Sequence, residues 1–503
     1  MGNMIANLSR PRVPASSLAL NILLIICACV TSATTGYDGS MMNGLNILPS
    51  YSEYFNINTA TQGLSTSAIY IGSVIAGLTY SPVTDKLGRR AALFWAAAIT
   101  IVFVILQTCA VNIAMFVVAR IMIGYGNAAS TIAAPTYVAE TLPYKWRGWG
   151  LALITDFYYV GGLIAAGITF GTANMNSTWS WRLPSLFQLL FSIVCIAILP
   201  FMPESPRWLI YQGRNEEALQ VLAQTCADGD DQTPIVLAQY KEIFDTIQYE
   251  KNAGETLSVK QMFKTPSARK RVILVISCAL GTVIVGNQIA SYYFGTMLTN
   301  AGVTDTTVQL EINIILNAFC LVCAIAGTAF GEKVGRRINA LVSTILLTIF
   351  LYLIGVLTKL YGNSDNEAGS YGTVACIFLF MGSYSWAWTP LAFLYPPEIL
   401  NYAIRATGMG LNTFFMFGFG LLCVFSLPFA LESLGWKTYI MNASWNIALI
   451  VFIYFFWVET KGKTLEEIDI LFEGVKHSDG PNIREVENGK VDLDLTLTHD
   501  EKK

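Results

Sequence analysis

Long runs of apolar residues recur from one end of the chain to the other, and they constrain its fold more than any other feature. A helix needs about 20 mostly apolar residues to cross ~30 Å of hydrocarbon, and twelve such runs can be read in this sequence. In the first half they cover approximately 18–38, 63–81, 91–110, 113–134, 150–170 and 183–202. In the second half they cover approximately 271–294, 312–331, 338–358, 372–395, 407–430 and 438–457. Charged residues make up 13% of the chain, against about a quarter in a soluble domain, and they cluster between the runs. These features exclude a water-soluble enzyme and predict an all-α membrane protein. The first run is too long for a signal peptide and lacks a small-residue cleavage site.

Lysine and arginine set the orientation. With the N-terminus inside, 27 of the 31 basic residues fall on inside segments. Arg182, Lys359 and Lys437 fall outside, and Arg120 lies within the fourth run. This bias puts both ends in the cytosol. The expected organisation is a cytosolic N-terminus (1–17), a six-helix half (18–202), a cytosolic linker (203–270), a second six-helix half (271–457) and a cytosolic tail (458–503). In the linker, Ile235, Val236, Tyr240, Ile243, Phe244 and Ile247 recur at helical spacing, which predicts short amphipathic helices under the membrane. The polar composition from about residue 476 onward predicts a disordered tail.

A net charge of −3 gives no reason to expect a nucleic-acid partner. Nine of the ten cysteines lie inside apolar runs, as small packing residues do, and Cys226 alone lies in a polar stretch. Both histidines, His477 and His499, sit in the tail. Buried proton chemistry must therefore use carboxylates. No cofactor and no metal are expected.

Three motifs occur once in each half. Asp85-Lys86-Leu87-Gly88-Arg89-Arg90 returns as Glu332-Lys333-Val334-Gly335-Arg336-Arg337. Glu140 with Arg147 returns as Glu398 with Arg405, and Pro203-Glu204-Ser205 is echoed by Val458-Glu459-Thr460. The offsets are similar, which implies a duplicated six-span unit of the kind that rocks about a central site in alternating-access transporters. All three motifs fall at cytosolic span ends. Their acids and arginines are expected to pair across helices when an inner gate is shut and to separate when it opens.

The paired Gly-Arg-Arg loops, Pro203-Glu204-Ser205-Pro206-Arg207-Trp208-Leu209 and Glu459-Thr460-Lys461-Gly462 resemble the sugar-porter family of the major facilitator superfamily. Arg120-Ile121-Met122-Ile123-Gly124-Tyr125-Gly126 is similar to that family's motif in span four. Trp388-Thr389-Pro390, Tyr395-Pro396-Pro397-Glu398-Ile399-Leu400 and Arg405-Ala406-Thr407-Gly408 look closest to fungal lactose and other disaccharide permeases. The resemblance spans nearly all of 18–470. It implies the twelve-helix major facilitator fold in two six-helix halves, and proton-coupled symport of a sugar, a disaccharide or a hexose.

Charges inside a span are costly and mark functional candidates. Asp38 lies late in the first run, and helix continuing through Met41-Met42-Asn43-Gly44-Leu45 would keep it inside the bundle. In proton-coupled members of the family, an acid matching Asp38 takes the proton and an arginine matching Arg120 tunes it. The resemblance also implies a substrate site at Thr155, Asn287, Gln288 and Phe393, with Tyr292 and Tyr293 closing its outer side. Asp156 can bond substrate hydroxyls, serve as a second proton site or pack helices. Gln188 is a further substrate candidate, as a polar residue in an otherwise apolar span six. Hexose members carry two glutamines where this chain has Thr282 and Val283, and a span-ten tryptophan where it has Phe393. Span eight has Cys320 at the usual asparagine position, with Asn313 and Asn317 one and two turns earlier. These departures fit a disaccharide, a less hydroxylated polyol or a non-sugar metabolite better than glucose.

Asn176-Ser177-Thr178 is a glycosylation sequon on the expected outer side. Gly124, Gly126, Gly161 and Gly162 permit close helix packing and cannot form a phosphate loop, since no lysine follows them. The expected partners are a small sugar, protons and the lipid bilayer, with a monomer at the plasma membrane. Two rival readings are a fungal secondary-metabolite carrier on the same scaffold and a sugar sensor that does not transport. Family sensors tend to have longer tails than this one.

Overall fold

The computed structural model describes residues 13–175, 177–252, 261–362, 367–463 and 465–474. The expected glycosylation site Asn176 and the tail from 475 onward lie outside the described residues. Every regular element among the described residues is helical. The first six spans are Ser17–Ile47, Thr59–Thr79, Arg89–Thr108, Ile113–Thr141, Tyr144–Thr172 and Trp179–Phe201. The seventh is built from Pro266–Ile284, Asn287–Tyr292 and Phe294–Asn300. Thr306–Val334, Arg336–Tyr361, Glu367–Ile399, Tyr402–Leu434 and Lys437–Phe456 complete the second half. Ten of these twelve are long and apolar enough to cross a membrane on length and composition. The second and seventh are the exceptions. The second buries Ser65, Thr66, Ser67 and Ser73 along its length, and the seventh is discontinuous.

Two local departures from regular helix position the site. The first span runs on to Ile47, nine residues beyond Asp38, so that carboxylate sits inside the bundle with no exposure. The seventh span breaks at Gly286, whose φ of +102° is open to glycine and strained for any other residue. The break frees backbone carbonyls in a region without water. Trp445 Nε1 donates to Ile284 O at 3.0 Å and Asn446 Nδ2 donates to Val285 O at 3.3 Å, which satisfies them. Asn287 and Gln288 then open the next helical segment.

The halves meet where span two packs on span eleven and span five packs on spans eight and ten. Between the sixth and seventh spans, helices Pro206–Tyr211, Asn215–Cys226 and Pro234–Asn252 form their own small core. Val236, Tyr240, Ile243 and Ile247 are buried in it against Leu209, Leu219 and Leu222. The spacing read in the linker therefore marks helices whose apolar faces pack on one another.

The repeated motifs build two matching clusters at the span ends that carry the Gly-Arg-Arg loops. In the first, Arg89 grips Glu140 with both Nε (2.8 Å) and Nη2 (3.0 Å). Glu204 accepts from the Arg89 and Arg90 backbone N–H groups at 2.9 and 3.2 Å, capping the third span with an anion. Ser205 Oγ donates to Glu140 at 2.6 Å. In the second cluster, Arg336 donates to Glu398 at 3.1 and 3.4 Å. Glu459 accepts from the Arg336 and Arg337 N–H groups at 2.9 and 3.1 Å, and Thr460 Oγ1 donates to Glu398 at 2.7 Å. Gly88 and Gly335, at φ +91° and +104°, turn the chain the same way in both.

The arginine–glutamate contacts run across helices, and most of them stay within one half. Arg89, Arg90, Glu140 and Glu204 are bonded within one half, and Arg336, Arg337, Glu398 and Glu459 within the other. Two of the named residues reach across: Arg405 Nη1 lies 3.6 Å from Glu140 Oε1, and Arg147 donates to Lys463 O at 3.2 Å. The side chain of Glu332 lies outside the described residues. Asp85 sits 3.5 Å from Arg89. Burial pushes its carboxyl up to about 6 despite the pull of Arg89, and Glu140 adds to the rise.

Two outcomes follow for the detergent-solubilised protein. Glu140→Gln removes the bidentate partner of the fully buried Arg89 and leaves it Asp85 at 3.5 Å; stability should fall, read as a lower thermal midpoint. Because the Asp85 pKa is raised on folding, the folded state binds the extra proton between the ordinary carboxylate range near 4 and about 6. Stability from this group is therefore lost as pH rises through that window. Asp85→Asn should flatten the fall of thermal midpoint with pH there.

Candidate functional site

Spans one, two, four and six converge on one buried charge. Arg120 donates from Nη1 and Nη2 to the two Asp38 oxygens, each at 3.1 Å, and from Nε to the Ser65 carbonyl at 2.8 Å. Gln188 Nε2 donates to Asp38 Oδ1 at 3.0 Å. Asp38, Arg120 and Gln188 all have no exposure. A bidentate guanidinium–carboxylate pair is among the strongest hydrogen-bonded geometries, and here it offsets the desolvation of two ions.

Gln188 is therefore part of the Asp38 cluster and not of the substrate cavity, which corrects the sequence expectation. Its position has a local cause. The Tyr37 hydroxyl donates to the Pro184 carbonyl at 2.7 Å, the Gln188 N–H turns to Leu186 O, and the sixth span breaks at Gln188. The residue before Asp38 thus helps to aim the amide at the carboxylate.

Beside this cluster, between the halves, lies a cavity of about 130 Å³. Thr155, Asn287, Gln288, Tyr292 and Phe393 all line it. Ser32, Thr35, Thr131, Thr282, Ser291 and Thr389 add hydroxyls, while Tyr70, Tyr158, Tyr159 and Tyr384 add phenols. None of the lining residues is charged. Thr155 Oγ1 and Asn287 Oδ1 are buried without a hydrogen-bond partner. They suit the hydroxyls of a neutral ligand, and the aromatic rings suit its C–H faces.

Two expected residues lie elsewhere. Tyr293 donates to Val424 O at 2.7 Å and so ties span seven to span eleven. Asp156 is fully buried and accepts from Thr328 Oγ1 of span eight at 2.6 Å, bridging the two halves away from the cavity lining. The four cavity phenols were missed. Tyr158 and Tyr159 lie within four residues of Thr155, and that proximity was the available signal. Tyr70 lies in a span of serines and threonines with nothing to single it out. Among the described residues, no group of His, Cys, Asp and Glu has the arrangement to hold a metal.

Comparison with known proteins gives the same picture. The sugar (and other) transporter family matches residues 24–472. The chain is 30% identical over 464 residues to the MFS glucose transporter mfs1 of Aspergillus flavus, covering 87% of each protein. It is 28% identical over 470 residues to the high-affinity glucose transporter of Kluyveromyces lactis, covering 89% of this chain and 84% of that one. The solved structure of the proton:xylose symporter XylE bound to 6-bromo-6-deoxy-D-glucose shares the fold, with a TM-score of 0.80 at 19% identity over 91% of this chain and 100% of that one. Both of these relatives are named for glucose, so these likenesses do not single out the disaccharide permeases that the motifs resemble. The chain belongs to the sugar (and other) transporter family, multi-pass membrane transporters of the major facilitator superfamily and not enzymes.

Proposed function

We propose that the protein is a proton-coupled symporter that takes up a neutral sugar of hexose size. The observation that carries this reading is the fully buried Asp38–Arg120 pair beside an uncharged, hydroxyl- and phenol-lined cavity between the halves. A carboxylate clamped by a cation holds its charge, and one freed from the cation inside an apolar bundle takes a proton. Alternating access supplies that change, because the spans carrying the pair shift as the halves rock. Asp38 carries the proton in this cycle and Arg120 sets when it is held. Thr155, Asn287 and Gln288 bind sugar hydroxyls, and Phe393 and Tyr292 face the ring.

The size of the cavity supports a monosaccharide over a disaccharide. At about 130 Å³ it is comparable with an engineered cavity of about 150 Å³ that binds benzene. A hexose needs modest rotation of the lining rings, and a disaccharide needs the halves to part. The glucose relatives support the same choice. The same reading puts the protein at the plasma membrane as a monomer, since one chain supplies every wall of the cavity. The apolar part of the lining, Val283, Ala392, Phe393, Met416 and Phe417, favours one second reading, a carrier of a less polar metabolite.

Uptake in a sugar-transport-null yeast, with external pH recorded, tests these readings. Hexose addition should alkalinise the medium, and Asp38→Asn should abolish that signal together with accumulation against a gradient. Uptake without a pH change, unaltered by Asp38→Asn, would overturn the symport assignment. In competition assays, hexoses should block labelled uptake and disaccharides should not. Asn287→Ala should raise KM by roughly tenfold, equivalent to about 1.4 kcal/mol. No uptake of any sugar by protein confirmed at the cell surface would favour the metabolite carrier.

A further inference from the structure

Past Asp38 on span one, Ser40, Asn43 and Asn46 recur at helical spacing. On span eight, Gln309, Asn313 and Asn317 recur every four residues and so share a face. The two rows meet across the seam between the halves, where Asn43 Nδ2 donates to Asn313 Oδ1 at 3.3 Å. Asn317 Nδ2 donates to the same oxygen at 3.2 Å and to the Asn313 carbonyl at 2.8 Å. We infer that Asn43, Asn313 and Ser40 form a second hydroxyl-binding subsite, which receives the sugar before the main cavity does and closes behind it. The inference rests on the uptake reading above, in which the Gly-Arg-Arg loops face the cytosol.

The rows lie between the cavity and the face opposite those loops. Asn43 stands near Ile47, the far end of span one, and Asn313 near Thr306, where span eight begins. The row on span one starts at the rim of the cavity. A Cβ on Gly39 would stand 2.8 Å from the Tyr158 hydroxyl and 3.6 Å from that of Tyr292, and both phenols line the cavity. A Cβ on Gly162 of span five would meet Asn317 Oδ1 at 2.6 Å and Ser40 Cβ at 3.6 Å. Glycine at these two positions lets the amides follow directly on the phenols.

Amides between membrane helices often serve only to hold the helices together. A ladder with that role alone would satisfy its own atoms, and this one does not. Asn313 Nδ2, Ser40 Oγ and Asn46 Oδ1 are buried without a hydrogen-bond partner, in a region where Asn313 and Ser40 are 4% and 8% exposed. A buried polar atom left unpaired is costly, and a ligand that pairs it removes the cost. The three atoms present a donor, a hydroxyl and an acceptor. A sugar hydroxyl both donates and accepts, so it can pair with any of them. When the halves part on this face, Asn43 Nδ2 and Asn313 Oδ1 lose each other and join the set. Once the sugar has moved inward, their bond forms again behind it. The exchange is one neutral hydrogen bond for another and uncovers no buried ion.

Asn43→Leu and Asn313→Leu keep the side-chain bulk and remove the amide. The test measures initial rates of uptake, and of efflux from preloaded yeast, for a labelled hexose that the cells do not metabolise. The expected result is a several-fold raised KM for uptake with the KM for efflux as in wild type, because sugar leaving the cytosol reaches the main cavity first. Asn43→Ser, which returns a hydroxyl to the row, should recover most of the uptake KM. An equal rise in both directions would point to helix packing or to the main cavity and would overturn the subsite, as would an unchanged uptake KM. Ser40→Ala removes one hydroxyl that has no internal partner and so disturbs the fold least. It should raise the uptake KM alone, and it decides the matter if the leucine variants fail to reach the membrane. If the wild-type protein takes up no sugar, the uptake reading falls and the subsite with it. Wild-type uptake whose KM survives all of these substitutions overturns the subsite alone.

Discussion

A guanidinium with no solvent exposure in the middle of a membrane bundle is the constraint around which the first half is arranged. Left unpaired, the Arg120 charge would cost several kcal/mol even after relaxation, so the surrounding spans must bring acceptors to it. Span one brings Asp38 and span two brings the Ser65 carbonyl, while span six breaks to bring Gln188 to the carboxylate. The second half contributes no charge to the cavity wall. It contributes instead the amides that follow the break at Gly286. The buried ion pair thus lies in the first half and the cavity amides in the second.

The cytosolic clusters explain how each half moves as a body. Each arginine–glutamate pair joins the start of one span to the end of another within its own half, and each capping glutamate fixes the following loop. The two joined spans and the following loop therefore cannot shear past one another at that face without uncovering a buried ion. Glu140 is the point where this internal bracing touches the opposite half. It is held at 2.8 Å by Arg89 and stands 3.6 Å from Arg405. When the halves separate on the cytosolic side, Arg405 withdraws and Glu140 keeps its main partner.

Much of this plan was legible in the sequence because hydrocarbon imposes simple rules. Span number follows from apolar length, while lysine and arginine placement and three repeated motifs carry the expectations of orientation and duplication. Asp38 and Arg120 were visible because a charge inside an apolar run has few explanations. Gln188 was visible as polar but not as a carboxylate partner, since its contact lies 150 residues away in the chain and depends on a helix break set by Tyr37. The gate motifs could not show which half supplies each partner, because a repeated acid and a repeated base do not reveal it. Asp156 next to Thr155 seemed cavity-facing, yet successive helical residues point about 100° apart, and its carboxylate meets Thr328 instead.

The strengths of the contacts separate along the line between the halves. Inside each half the ionic contacts at the cytosolic face are buried and bidentate, of the kind that costs about 3–5 kcal/mol to break. Across the seam they are mostly neutral: Tyr70 to Gln288, Asn43 to Asn313 at 3.3 Å and Tyr159 with Thr389 at 3.3 Å. A neutral hydrogen bond contributes only about 0.5–1.5 kcal/mol net. Contacts of this strength can yield one side at a time, and a few of them sum to the few kcal/mol within which two conformations remain interconvertible. Had the seam been closed by pairs like Arg89–Glu140, opening either face would cost more than sugar or proton binding could return. Weak bonds across the seam and strong ones within each half are what allow a small ligand to move a bundle of twelve helices.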